Sequence, residues 1–255
     1  MVKIEFIFLF LRLQIKNKQN KKTRMSIKRI GCYLSIIISI FYLTQCKKIT
    51  EKEGFKEGVI KYDINYPGDS LDSFIQQFLP QKMTIKFKNN DLVNQFKSPS
   101  GLIGFSHIKN YNAKEDITLI NFFNKKFKYV ENFNEPSLVF KERKNVKVQY
   151  TDTTKEIAGF SCKKTIISFY DDGAETEIEV FYTDQIDIKG FNNNTPFETI
   201  DGVLLEFKLN VYDIPMKFKA SSVKNTRVSG KAFKIPEGYK QINRKTMREI
   251  INILK

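Results

Sequence analysis

A two-residue alternation of apolar and polar side chains recurs from Gly58 to Val223, broken at short intervals by Asn, Asp, Gly and Pro. Successive side chains of a strand point to opposite faces, so this period belongs to a sheet with one buried face. It begins at Gly58 to Tyr66, where Ile60, Tyr62, Ile64 and Tyr66 share one face and Lys61, Asp63 and Asn65 the other, and Pro67-Gly68 ends it. Met83, Ile85 and Phe87 then alternate with Thr84, Lys86 and Lys88, and Asn89-Asn90-Asp91 is a turn signal leading into Leu92 to Phe96. Further strands are predicted at Ile103 to Tyr111, Ile117 to Phe123, Lys126 to Glu131, Val146 to Tyr150, Cys162 to Phe169, Glu175 to Thr183, Val203 to Tyr212 and Pro215 to Val223. About ten strands joined by short turns fit an antiparallel sheet or barrel.

Two segments carry the helical period instead. Asp69 or Ser70 can cap a short helix whose Leu71, Phe74, Ile75 and Phe78 face inward, with Pro80 closing it. At the other end, Met247, Ile250, Ile251 and Leu254 form an apolar stripe on a helix from Arg244 to Lys255, expected to pack on the sheet. Between sheet and helix, Phe233 to Tyr239 reads as a last extended piece and turn, and Asn132 to Lys144 as a loop around Pro136. The expected fold class is therefore mainly β (α+β), with residues 57–255 as a single domain.

Before that domain lies a leader. Lys28 and Arg29 precede 14 uncharged residues, Ile30 to Leu43, and a short step to Cys46. An n-region, an h-region and a processing site in that order make a signal peptide. Because Leu43-Thr44-Gln45 precedes Cys46, residues 25–45 resemble a bacterial lipoprotein signal, cut before a cysteine that receives a diacylglyceryl group. Gln45 stands where such signals carry a small residue. The alternative is an uncleaved helix, but only 17 uncharged residues separate Arg29 from Lys47, at the short end of what crosses a bilayer. Residues 1–24 end in a run of Lys, Asn and Gln without an apolar face and read as an over-extended leader, translation starting at Met25, or as a long n-region. Residues 46–56 would be the lipidated cysteine and a charged tether.

Removing the leader changes the meaning of the charge. Of 43 Lys and Arg, 11 lie in residues 1–50 beside a single acid, Glu5. The rest carries 32 basic against 27 acidic side chains, an evenly mixed surface and not a nucleic-acid footprint. With Cys32 in the leader and Cys46 acylated, Cys162 has no internal partner, so stability must come from a core. Cys162 itself reads as a small buried apolar residue.

The motifs of chemistry are missing. His107 is the chain's one histidine, without a second His or Cys at ligand spacing, so neither a zinc site nor another cofactor is expected. No phosphate loop, nucleophile elbow or dinucleotide fingerprint occurs. Asp171-Asp172 and Glu177 with Glu179 read as a turn and a solvated strand face. No catalytic residue is assigned.

Ile157-Ala158-Gly159-Phe160-Ser161-Cys162-Lys163-Lys164-Thr165, Phe181-Tyr182-Thr183-Asp184-Gln185-Ile186 and Ile200-Asp201-Gly202-Val203-Leu204-Leu205-Glu206 resemble the GLPGLI-type secreted proteins of Bacteroidetes, or a sister family of lipoproteins. Gly58 to Tyr62 and Ile235 to Tyr239 extend the likeness over most of residues 57–240, although Ile200-Asp201-Gly202-Val203-Leu204 lacks the family's proline. Such proteins are similar in outline to the lipoprotein carrier and receptor fold of the bacterial envelope. That resemblance implies a strongly curved half-barrel, lidded by helices around an apolar cavity. Gly159 and Gly202 would serve chain reversals before strands. With 23 Phe and 11 Tyr but no Trp, such a concave face could hold a lipid or other apolar ligand. Partners would then be the membrane, reached through the lipid on Cys46, an apolar ligand and envelope proteins; the alternative is a filled core that only presents loops such as Asn132 to Lys144 and Lys189 to Pro196. An outer-membrane anchor facing the periplasm is the expected location.

Overall fold

A computed structural model describes residues 54–67, 79–135, 138, 144–171, 174–211 and 214–253. Cys46, the leader and the helix predicted around Leu71 to Phe78 lie outside the described residues. The described residues belong to one compact unit, Glu51–Lys255.

Twelve strands form one open sheet: β1 (Glu57–Asn65), β2 (Lys82–Lys88), β3 (Asp91–Lys97), β4 (Ile103–Asn110), β5 (Glu115–Phe122), β6 (Lys125–Glu131), β7 (Lys144–Ile157), β8 (Phe160–Asp171), β9 (Ala174–Thr183), β10 (Val203–Val211), β11 (Ile214–Asn225) and β12 (Lys240–Gln241). Their order is β12-β6-β5-β4-β3-β2-β1-β11-β10-β9-β8-β7. Two meanders, β1 to β6 and β7 to β11, are thus joined where β1 pairs with β11. Neighbours in sequence pair because tight turns cost least. Asn89-Asn90 links β2 to β3 with both φ angles positive (50° and 74°), as a two-residue hairpin turn requires, and Ala158-Gly159 (51° and 83°) does the same for β7 and β8. Among these twelve strands all pairings are antiparallel except β12 with β6; an isolated parallel bridge joins Phe55 to Ile186.

The apolar period of β1 ends on one face of the sheet. Ile60, Tyr62 and Ile64 are buried there with Met83, Ile85 and Phe87 of β2, and the same core runs through Cys162, Val180, Leu205 and Phe218. Tyr62, fully buried in that core, donates to the Leu204 carbonyl at 2.7 Å, where a register shift between Leu204 and Glu206 interrupts the β9–β10 ladder. That bond spares the hydroxyl an unpaired burial.

The C-terminal segment wraps the β6 edge. Ala232, Phe233 and Tyr239 pack on Val93, Ile108, Ile117 and Leu119. The chain then pairs Lys240–Gln241 with Phe127 and Lys128, and α1 (Arg244–Ile253) sets Met247 and Ile250 among Ile120, Phe105 and Phe127. Ile117 and Ile120 differ in strand parity, so the two clusters cover opposite faces. Met247 and Ile250 of the predicted stripe dock as expected; among the described residues α1 is the only α-helix.

The 3-10 turn Gly230–Phe233, capped by the Ser229 side chain, ends where the expected extended piece begins: Lys234 is extended, Glu237-Gly238 forms the turn with Gly238 at φ 84°, and Lys240–Gln241 pairs as strand. One expectation is corrected: β7 runs to Ile157, well past Tyr150, because its outer half, Thr151 to Glu156, lies on the sheet's edge, where exposed polar residues carry no apolar period. Two register shifts against β8 accommodate it.

Candidate functional site

Strand register decides what stands on the buried face. From β1 to β6, Ile60, Ile85, Asn94, His107, Thr118 and Tyr129 are direct neighbours in one row. The row on one side reads Tyr62, Met83, Phe96, Phe105, Ile120 and Phe127, and the row on the other reads Gly58, Phe87, Leu92, Lys109, Asp116 and Glu131. Two of the three rows therefore begin apolar and turn polar at β3 or β4. Directly opposed side chains lie roughly 4.5–5.5 Å apart at Cβ, so these groups are forced together.

A cavity of about 170 Å³ lies along this change. Ile85, Phe96, Phe207, Leu209, Met216 and Phe218 supply its apolar wall. Phe207 and Phe218 are stacked at 4.8 Å, and Phe96 meets Phe218 edge-on. The opposite end carries Asn94, His107, Lys109, Asp116 and Thr118. The connection between β9 and β10 closes it: Ile186, Ile188, Phe197 and Ile200 join the core, and Phe191 to Thr195 line the cavity. Asn192 fixes that loop by donating to the carbonyls of Ile200 and Gly202 at 2.7 and 2.9 Å. Lys189 to Pro196 is thus folded onto the site.

The polar end is a connected network. His107 Nε2 lies 2.5 Å from Asp116 Oδ1, and Lys109 Nζ lies 3.5 Å from Asp116 Oδ2. Lys109 also donates to the Asn193 carbonyl at 3.2 Å and sits over the rings of Tyr111 and Phe133. Tyr111, just past the end of β4, in turn donates to the Gly190 carbonyl, so the loop is tied down at two points. Thr118 Oγ1 donates to Glu131 Oε1 at 2.8 Å. The Asp116 and Lys109 side chains are 2% and 5% exposed, whereas His107 is 28% exposed, which makes the imidazole the accessible member. Burial pushes the Asp116 carboxyl up, but hydrogen bonds and charge from His107 and Lys109 outweigh it and hold the group below the usual carboxylate range. Burial, reinforced by the Asp116 charge, moves the Tyr111 phenol up to about 12.

The donor atoms of His107, Asp116 and Glu131 all lie within 4.8 Å of one another. Spacing along the chain gave no sign of this, because the partners are carboxylates on neighbouring strands. A signal did exist: His107 and Lys109 share parity with Phe105, and Asp116 and Thr118 with Ile120, so polar residues occupy core positions of the alternation. The other candidates stay apart. Cys162 is fully buried, its thiol pushed up to about 12 by burial, and its sulfur faces the Phe160 carbonyl at 3.5 Å. Glu177 and Glu179 lie on the exposed face of β9, beside Ser168 and Lys164 respectively. Gly159 and Gly202 occupy the reversals expected of them, with φ of 83° and 147°.

The chain matches no protein-family model and no curated protein. Among the described residues, no helix is long and apolar enough to cross a membrane.

Proposed function

We propose that the protein is a non-enzymatic lipoprotein of the bacterial cell envelope, anchored through Cys46, whose sheet curves into a half-barrel and binds a lipid or other apolar ligand on its concave face. The observation that carries this reading is the cavity, with a wall of Phe, Leu, Ile and Met closed by the Asp184 to Gly202 connection. The leader favours the anchor and an outer-membrane, periplasm-facing location, and the sequence pattern favours kinship with GLPGLI-type proteins and, in outline, the lipoprotein carrier fold.

Size limits the occupant. An engineered cavity of about 150 Å³ takes one benzene, so 170 Å³ admits a short stretch of acyl chain and not a whole lipid. At ~0.8 kcal/mol per buried methylene, five methylenes contribute about 4 kcal/mol, which is millimolar binding by itself. Tighter binding therefore requires Phe191 to Phe197 to yield. Native mass spectrometry and lipid extraction of the purified protein, with titration of a fluorescent fatty acid, test the reading; a protein that emerges empty and binds no probe refutes it. Cys46→Ala should abolish incorporation of labelled palmitate, and continued labelling would place the anchor elsewhere.

One observation favours a second reading, an interaction lipoprotein with a filled core: Phe197 is only 2% exposed, so the same loop already occupies much of the face. Recovery of a stoichiometric envelope partner with an empty protein would select it.

A further inference from the structure

We propose that His107, Asp116 and Glu131 form a binding site for a first-row divalent cation at the polar end of the cavity. The inference is independent of what fills the apolar part.

The three donors are an imidazole nitrogen and two carboxylate oxygens, mutually within 4.8 Å. Tetrahedral ligands about 2.0–2.2 Å from a zinc-sized ion stand roughly 3.4 Å apart, so binding draws the widest pair in by roughly an ångström and, by displacing the shared proton, parts His107 Nε2 from Asp116 Oδ1, now 2.5 Å away. Three adjacent paired strands, β4, β5 and β6, carry the donors, and such a platform holds them more firmly than a loop would. Glu131 is oriented by the Thr118 hydroxyl at 2.8 Å, the kind of outer contact that fixes a ligating carboxylate. Lys109 approaches the far oxygen of Asp116, Oδ2, and is held there by the Asn193 carbonyl. It thereby offsets part of the buried negative charge while leaving Oδ1 turned to His107.

A second, independent observation points to a cation. Asn94 stands directly opposite His107 in the register and lines the same cavity. Its Oδ1 is sealed from solvent, and among the described residues no donor reaches it. Leaving a buried acceptor unpaired costs about 1–3 kcal/mol. A cation beside His107 supplies the missing partner, as a fourth ligand or through a bound water. One nitrogen with two or three oxygens suits Zn²⁺, Mn²⁺ or Fe²⁺; with neither thiolate nor thioether it does not suit Cu⁺.

The competing occupant is a proton on His107, which would balance the carboxylates without metal. The chain's single histidine separates the two. Tag-free full-length protein in detergent, labelled with ¹⁵N in the imidazole, is titrated with Zn²⁺ and in parallel with Mn²⁺. The expected result is one new imidazole signal that saturates at one equivalent of Zn²⁺, and selective broadening of the same signal by Mn²⁺. Metal held by Cys32 or Cys46 would leave it unmoved. Glu131→Gln should weaken the zinc response about tenfold or more, with circular dichroism showing that the variant is folded. An imidazole that does not respond at tenfold excess overturns the proposal without recourse to any variant. So does a response of unchanged affinity in folded Glu131→Gln and Asp116→Asn proteins, which would mean that His107 binds metal alone.

Discussion

Truncating Phe218 to alanine tests whether the cavity wall is a packed part of the core. Phe218 is 1% exposed on β11, directly opposite Phe207, with ring centroids 4.8 Å apart and planes 11° from parallel, and Phe96 contacts it edge-on at 6.2 Å. Removing a buried phenyl costs about 3–5 kcal/mol in transfer and cavity terms. Phe218 already borders the 170 Å³ void, so some of its contacts are missing from the start and the lower end, about 3 kcal/mol, is expected. That is a large share of the ~5–15 kcal/mol holding a typical domain together. At roughly 2–4 °C per kcal/mol for a domain of this size, Tm should fall by about 6–12 °C. Urea unfolding followed by circular dichroism should show a lower midpoint with an unchanged slope. A double-mutant cycle with Phe207→Ala should return a coupling of about 0.5–1.5 kcal/mol for the stacked pair. The enlarged void should also bind an apolar probe more tightly than the parent does. A loss below about 1 kcal/mol, or an equal loss from Tyr170→Ala at a half-exposed position, would refute the assignment, since surface truncations stay within about 0.5 kcal/mol.

Three further outcomes follow from single residues. A Cβ on Gly202 would come within 2.7 Å of Tyr182 Cδ2 and 2.8 Å of Thr183 O at φ +147°, whereas one on Gly159 would meet nothing within 4 Å; Gly202→Ala should cost more than about 2 kcal/mol in urea unfolding and Gly159→Ala about 1–2 kcal/mol from backbone strain alone, and equal costs would contradict the packing. Cys162 should resist alkylation at mildly alkaline pH in peptide-resolved labelling and react once urea unfolds the chain, because burial raises its thiol to about 12; rapid labelling of the native protein would show the core open there. Burial works against ionisation of Glu206, but hydrogen bonds and charge from Lys155 and Lys217 hold its carboxyl below the ordinary range. A lowered folded pKa stabilises at neutral pH and ceases to as pH falls through it, so the stability gap between the parent and Glu206→Gln should narrow in acid; a constant gap would remove the ion pairs from the account.

The amino-acid order alone determined the strands, most of their turns and the direction each side chain faces. A strand has period two whatever it packs against, so Ile60, Tyr62 and Ile64 had to share a face, and Asn89-Asn90 could take the positive φ of a hairpin without help. The same local logic found the C-terminal helix, whose Met247 is fully buried. It failed where no apolar period exists, in the polar outer half of β7.

Only the tertiary structure decided what lies beside what. The pairing of β1 with β11 joins segments far apart in the chain, and the Asp184 to Gly202 connection became the roof of a cavity because Ile186, Phe197 and Ile200 gain more by joining the core than a free loop would. His107 looked solitary for the same reason: Asp116 and Glu131 are its neighbours through strand register, a property of strands side by side that no spacing along one of them encodes.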